Sequence, residues 1–224
     1  MDAQTKKRIR IAEQAAKKYL KNDRFTIQSL AEELDMKSSE VFELFPNRSS
    51  MLSFFYESRI IIYNEQTKNI KDYNSFTLSE KLSNFALSLL DQFNEHREFV
   101  LLTYKSKISK NCRMTKFEER FKKVIKTTFE EDKDRSSSSA IILNDIFYKI
   151  LFCHFHALIE FWRNDESIQN QNSMALVDKW ASFTEEVFYS AIVDKGADLS
   201  KFLFYQSPLS KITFNSCKSG SDNE

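Results

Sequence analysis

The sequence contains very few of the residues that interrupt helices. Among 224 residues there are two glycines and two prolines. Sheets whose strands are joined by tight turns need more of both, because glycine supplies positive φ angles and proline fixes the turn. The scarcity argues against a β-rich fold and favours long helices joined by polar loops. We therefore predict an all-α protein, long enough for one large or two small domains with a real core.

Cysteine pairs and an excess of charge of one sign are also missing. Cys112, Cys153 and Cys217 are widely spaced, and no signal peptide opens the chain, so we expect a reducing cytoplasm. The 33 basic and 32 acidic residues give no overall sign of a nucleic-acid partner. The most apolar stretch, Ile141–Trp162, is interrupted by charged, amide and imidazole side chains. It predicts a buried helix rather than a membrane span, and we expect no membrane partner.

Apolar residues recur at helical spacing along most of the chain. The spacing predicts a first helix over about Thr5–Asn22 and a second helix capped by Thr26. A turn at Asp35–Lys37 leads to a third helix over Ser38–Phe45, which a proline ends. Ser49 is expected to cap a fourth helix of about twenty residues. Five further helices are predicted, at Phe76–Asn94, His96–Ser109, Arg113–Asp132, Ala140–Arg163 and Asn172–Val193.

The last two predicted helices are apolar around almost their whole circumference, so each must be covered on more than one side. One chain of this size would struggle to cover both, and a symmetric four-helix contact with a second copy is expected. The alternative is that helices from residues 76–132 cover them within one chain. The predicted dimer interface consists of Leu151, Leu158, Leu176, Trp180, Phe183 and Val187.

The segment TIQSLAEELDMKSSEVFELFPNRSSML resembles the N-terminal DNA-binding signature of TetR-type (TetR/AcrR) transcriptional regulators. A threonine opens the second helix, a turn of small residues follows, and aromatic and basic residues close the third helix and begin the fourth. The matching residues are Thr26, Ala31, Asp35, Met36, Val41, Phe42, Phe45, Arg48 and Leu52. The later segments FWRNDESIQNQNSMALVDKWASF and DLSKFLF resemble the final helices and tail of one TetR subgroup.

The resemblance implies a homodimer that binds a palindromic operator in double-stranded DNA and responds to a small molecule in its second domain. We accordingly expect a helix-turn-helix DNA-binding domain at residues 1–50 and a helical ligand-binding and dimerisation domain at residues 51–195. Residues 196–224 are expected to form a partly disordered tail. The predicted function is a dimeric, ligand-responsive regulator that acts as a repressor.

In a helix-turn-helix, the first residues of the recognition helix reach base edges while flanking groups hold phosphates. The residues expected to face bases or the nearby backbone are Lys37, Ser38, Ser39 and Glu40. Thr26, Phe42 and Arg48 stand where the family usually holds phosphates. The basic N-terminal arm, with Lys6, Lys7 and Arg8, is expected to add phosphate contacts.

Two departures from the family pattern concern the DNA face. Phe42 and Leu44 stand where hydrogen-bonding side chains are common in the family. Residues 25–50 contain two basic and five acidic residues, whereas residues 1–24 contain eight basic and three acidic residues. DNA binding therefore depends on the first helix. Glu40 either accepts a hydrogen bond from a cytosine amino group or only favours the positive end of its helix. The alternative function is a hydrophobic-ligand binding protein on the same fold with a degenerate DNA face.

The sequence offers little for catalysis. Cys153, His156 and Glu160 share faces of one helix, but a tight metal site usually needs three or four ligands. More often such residues are core histidines bonded to a neighbour or the polar lining of a ligand cavity, and we predict no enzyme, cofactor or metal. Twenty-one phenylalanines and eight tyrosines fit an apolar cavity for a small hydrophobic effector. The candidate lining residues, each of which also fits an ordinary core, are Tyr104, Phe117, Phe121, Phe147, Phe155, His156 and Trp162.

Overall fold

The computed structural model describes residues 1–109, 114–132, 143–190, 195–196 and 198. Within these residues all regular structure is helical, which confirms the predicted all-α class. The α-helices are α1 (Ala3–Lys21), α2 (Ile27–Glu33), α3 (Ser38–Leu44), α4 (Arg48–Thr67), α5 (Leu78–Asn94), α6 (Arg97–Tyr104), α7 (Lys116–Glu130), α8 (Asp145–Arg163) and α9 (Gln171–Tyr189). Short 3₁₀ turns occupy Tyr73–Ser75 and Ile168–Asn170, and α6 continues as a π-helix over Lys105–Ser109.

Capping side chains set where the helices begin. Thr26 accepts a hydrogen bond from the Ser29 amide at 3.0 Å, as predicted for the start of α2. The prediction that Ser49 caps the fourth helix is wrong. Asn47 caps it instead, because its extended backbone lets Oδ1 accept from the Ser50 amide at 2.8 Å. The Ser50 hydroxyl in turn lies 3.4 Å from the Asn47 amide, which completes a capping box.

Helices α5 and α8 begin later than predicted. Thr77 caps α5, and its hydroxyl accepts from the Glu80 amide at 3.1 Å. Asn144 caps α8 by accepting from two backbone amides, so the predicted start at Ala140 is too early. Ala140 itself and most of the predicted tail at residues 196–224 lie outside the described residues.

Helix α4 connects the two ends of the molecule. It packs against α1 and also against α5 and α7, while α9 packs on α5 and α8 packs on α7 and α9. The buried apolar residues of all these helices form one continuous core. The predicted boundary between residues 50 and 51 falls near the start of α4, which contributes to the packing on both sides of it. No helix in the described part of the chain is long and apolar enough to cross a lipid bilayer.

Candidate functional site

Helices α2 and α3 form a helix-turn-helix. In the turn, Asp35 has a φ angle of 54°, a left-handed conformation that aspartate adopts more readily than most side chains. The Met36 amide donates to the Ala31 carbonyl at 2.9 Å and closes the turn. Leu30 and Ala31 of α2 and Val41 of α3 are buried, which fixes one side of α3 against the core. The remaining side of α3 is directed outward.

The outward side of α3 and its N-terminal end carry five of the ten residues that the sequence assigned to DNA. Lys37, Ser39 and Phe42 are exposed, and Phe42 keeps 52% of its surface accessible. Ser38 and Glu40 are half-buried at the same end of the helix. The structure therefore brings the predicted base-facing residues together at the N-terminal end of α3, where a recognition helix meets base edges.

Two predicted phosphate contacts have structural roles of their own. The Thr26 side chain is the N-cap of α2. Arg48 Nη1 donates to the Asp23 carbonyl at 3.1 Å, and its guanidinium lies 5.7 Å from the centre of the Phe25 ring. Arg48 thus holds the start of α4 to the loop between α1 and α2. Both residues stabilise the turn region that orients α3.

Lys7 of α1 pairs with Glu40 of α3. Its Nζ lies 2.7 Å from Glu40 Oε2, and both side chains are about two-fifths exposed. The hydrogen bond and the charge of Lys7 lower the pKa of the Glu40 carboxyl below its ordinary value. The pair holds the first turns of α1 beside the recognition helix. Sequence spacing gave no signal for it, because the two residues are 33 positions apart.

Arg8 points in a different direction from the rest of the basic arm. Its guanidinium lies 4.0 Å from the centre of the Phe54 ring and 5.1 Å from that of Phe45. Its Nε is buried and has no hydrogen-bond partner among the described residues. Lys6, by contrast, is exposed. Arg8 therefore faces Phe45 and Phe54, whereas Lys6 of the same basic arm faces solvent.

The proposed effector-lining residues do not form one group. Phe117 and Phe121 contact Phe155, and the Phe121 and Phe155 ring centres are 5.0 Å apart. The Tyr104 hydroxyl lies 2.7 Å from His156 Nδ1 in the same cluster. Burial raises the pKa of the Tyr104 phenol and lowers the pKa of the His156 imidazole. These rings pack against one another as a core does.

The remaining two predicted lining residues lie at the margins of this cluster or outside it. Trp162 joins it through Phe93, with ring centres 6.5 Å apart. Phe147 instead packs on Phe129 at 5.2 Å and on Phe188. An apolar cavity lined by all seven residues stays a prediction.

The predicted interface residues differ in how the single chain covers them. Leu151 and Leu158 are 3% and 5% exposed, so the core of the chain already covers them. Leu176 and Trp180 are half-buried. Phe183 and Val187 are 62% and 45% exposed. Further exposed apolar side chains on α8 and α9 are Ile146, Ile150, Phe161 and Met174.

Two of the three residues considered for metal binding have other partners. His156 is bonded to Tyr104, and Glu160 forms ion pairs with Arg163 at 3.1 Å and Lys105 at 3.4 Å. Cys153 is exposed. In the described ranges, no three His, Cys, Asp or Glu side chains are grouped so as to hold a metal ion.

A helix-turn-helix beside a basic α1, followed by a larger helical domain, is the architecture of a class of DNA-binding regulators. The family model described as "Tetracyclin repressor-like, C-terminal domain" matches residues 81–203, more than half of the chain. The chain belongs to the TetR family of transcriptional regulators. The comparison with curated proteins found no match. The helix-turn-helix precedes the matched residues, so its similarity rests on its own sequence and geometry.

Proposed function

We propose that this protein is a dimeric transcriptional repressor that binds a palindromic operator in double-stranded DNA. The observation that carries the proposal is the outward side of α3, where Lys37, Ser38, Ser39 and Glu40 lie together at one helix end. The buried contacts of Leu30, Ala31 and Val41 leave this end free to enter a major groove.

The electrostatics of α1 support the same proposal. Lys6, Arg10, Lys17 and Lys21 are exposed and recur at helical spacing, which gives α1 a basic stripe. The salt bridge from Lys7 to Glu40 holds the N-terminal end of this stripe next to α3. A lysine therefore offsets the negative charge of Glu40. The N-terminal end of α1 thus supplies basic partners for the phosphates beside the major groove of DNA.

A homodimer explains the exposed apolar surface of α8 and α9. Ile146, Ile150 and Phe161 recur at spacings that share one face of α8, and Phe183 and Val187 share a face of α9. A two-fold contact between these faces forms a four-helix interface, and its symmetry matches a palindromic operator. Leu151 and Leu158 lie beneath this surface and support it from inside the chain.

The proposed regulation is by a small hydrophobic effector that binds the second domain and changes the affinity for DNA. The concentration of aromatic side chains in that domain supports it, and no catalytic step or cofactor belongs to the proposal. We propose that the protein acts in the cytoplasm, in contact with chromosomal DNA. A second candidate, a hydrophobic-ligand binding protein whose DNA face has degenerated, is favoured by the exposed Glu43 and Phe42 on α3.

Selection of binding sequences from a random duplex library, at two salt concentrations, tests the proposal. A regulator recovers a palindrome whose affinity falls as salt rises, because lysines and arginines displace counterions from phosphates. A Ser39→Glu variant serves as the negative control, because it adds a negative charge on the outward side of α3 without touching the core. Recovery of no sequence by a folded dimer at low salt would support the ligand-binding protein instead.

A further inference from the structure

A cleft of about 730 Å³ separates the helix-turn-helix from the second domain. Its wall on the DNA-binding side comes from α1, the end of α3 and the first turns of α4. The opposite wall comes from the π-helix after α6 and from the start of α7. The volume falls in the range of pockets that enclose small organic ligands.

The cleft combines an apolar floor with cationic edges. The apolar side chains that line it are Leu44, Phe45, Phe54, Ile108, Met114 and Phe117. Five basic and two acidic side chains also line it, so the charge of the walls is positive. A surface of this composition suits a ligand with an apolar body and a negative head group.

The cations differ in what already neutralises them. Arg120 Nε is paired with Glu57 Oε1 at 2.8 Å, and Lys116 with Glu119 at 3.6 Å. Arg8 and Lys123 have no ion-pair partner among the described residues. The Arg8 Nε is buried against Phe45 and Phe54 without a hydrogen-bond partner. Arg8 therefore lines the cleft with a charge that none of the described carboxylates pairs with.

The N-terminus of α7 also borders the cleft, and its first turn includes the carboxylates of Glu118 and Glu119. Thr115 caps this 15-residue helix, and Thr115, Lys116 and Phe117 line the cleft. The first turn of a helix carries partial positive charge from amides that lack intrahelical acceptors. Arg8 and this helix end thus lie on opposite walls of one cavity.

We propose that the cleft binds a small amphipathic carboxylate, with the head group held by Arg8 and Lys123 and the apolar body lying against Leu44 and Met114, two lining apolar side chains that remain accessible. Phe117 is the one residue of the predicted effector lining that borders the cleft. Phe121, Phe155 and His156 do not line the cleft, although Phe117 also packs on Phe155 with ring centres 6.3 Å apart.

The cleft lies next to residues that contact the recognition helix α3. Arg8 follows Lys7, which is paired with Glu40 of the recognition helix, and Phe45 ends α3. An occupant that touches both walls changes the position of α1 and α3 relative to α7. This regulatory consequence rests on the proposed function, whereas binding in the cleft does not.

Calorimetric titration of the full-length protein with decanoate and with 1-decanol tests the site. The two probes share an alkyl chain and differ in charge. Decanoate is expected to bind about tenfold more tightly than 1-decanol, because a carboxylate bound to arginine forms charge-assisted hydrogen bonds. Arg8→Gln and Lys123→Gln are each expected to weaken decanoate binding several-fold and to leave 1-decanol binding unchanged. Equal affinity for the two probes, or no decanoate binding to the folded protein, would overturn the proposal.

Matched variants show where on the protein decanoate binds. Arg10→Gln removes an exposed charge from α1, and Lys126→Gln removes one from α7, both outside the cleft. These controls are expected to bind decanoate as the parent protein does. Ser53→Trp, at an exposed position on the cleft wall, is expected to block binding while the protein stays folded by circular dichroism. Unchanged binding in Arg8→Gln, Lys123→Gln and Ser53→Trp would assign the probe to another site.

A separate measurement of DNA affinity, with and without decanoate, keeps the two proposals distinguishable. A protein that binds decanoate through Arg8 and fails to bind DNA contradicts the proposed function and leaves the cleft site standing. A protein that binds DNA but not decanoate contradicts the cleft site alone.

Discussion

Lys7 on α1 and Glu40 on α3 form an ion pair, with 2.7 Å between Nζ and Oε2, across the side of the molecule that carries the recognition helix. The pair has two consequences for a DNA-binding face. It neutralises the acidic residue closest to the basic arm, and it occupies a lysine that phosphate would otherwise attract. In the proposed complex with DNA, phosphate and Glu40 therefore compete for Lys7.

Glu40→Gln is expected to raise the affinity for duplex DNA of any sequence. Removing the carboxylate frees Lys7 for a phosphate, so the slope of log affinity against log salt steepens by about one. Fluorescence anisotropy with a labelled duplex over a series of salt concentrations measures both quantities. Glu43→Gln is the control, because Glu43 is exposed on the same helix and is not paired with Lys7. Equal slopes in the two variants would show that Lys7 is not released.

The sequence predicted the helices well where their signals were local. Thr26 caps α2 as expected, and the scarcity of glycine and proline correctly excluded strands from the described residues. The start of α4 was misplaced because Asn47 and Ser49 are both good capping residues, and only the backbone conformation after Pro46 decides between them.

At the candidate site, the sequence could not predict side-chain environments that depend on contacts between distant parts of the chain. Lys6, Lys7 and Arg8 look equivalent in sequence as one basic run. In the structure one is exposed, one pairs with Glu40 and one lies over Phe54. Adjacent positions on a helix point about 100° apart, so their environments are set by tertiary packing. Periodicity identifies the helix but not which neighbour each side chain meets.

Phe183→Asp is expected to convert the proposed dimer into a monomer. Phe183 is 62% exposed on α9, and a carboxylate buried in a two-fold interface has no counter-charge and occurs twice. Light scattering after size-exclusion chromatography at micromolar concentration measures the mass. Leu20→Asp is the control, since Leu20 is 40% exposed on α1, which packs against α4 and α6. A Phe183→Asp protein that remains dimeric would exclude this face as the interface.

Stability is expected to fall as the solution becomes acidic, partly through His156. Burial lowers the pKa of His156 and of His96 below the ordinary value of 6.5. Just below pH 6.5 the unfolded chain therefore binds more protons than the folded chain. The stability that these histidines contribute above pH 6.5 is lost as the pH falls below that value. Denaturant unfolding at about pH 8 and about pH 5 measures the difference. His156→Asn is expected to reduce the pH dependence, and His154→Asn, at an exposed position, is the control. Identical pH dependence in all three proteins would rule out His156 as a contributor.

Glu13→Gln is expected to destabilise the protein by about 2 kcal/mol, because it leaves the buried charge of Arg59 without its partner. Arg59 on α4 is 1% exposed, and its Nη2 lies 2.7 Å from Glu13 Oε1 on α1. Burial lowers the pKa of Arg59, and the carboxylate of Glu13 opposes that shift. The pair thus couples α1, which carries the basic stripe, to the helix shared with the second domain.

Urea unfolding of Glu13→Gln beside Glu130→Gln measures this contribution. The control removes an exposed pair with 3.8 Å between Lys126 Nζ and Glu130 Oε1, which is expected to cost less than about 0.5 kcal/mol. A second variant, with both Arg59→Met and Glu13→Gln, is expected to recover part of the stability, because no unpaired charge then remains buried. Equal losses in Glu13→Gln and Glu130→Gln would mean that solvent, rather than Glu13, compensates the charge of Arg59. In that case the contact between α1 and α4 depends on apolar packing through residues such as Ala12, Ala16 and Phe55.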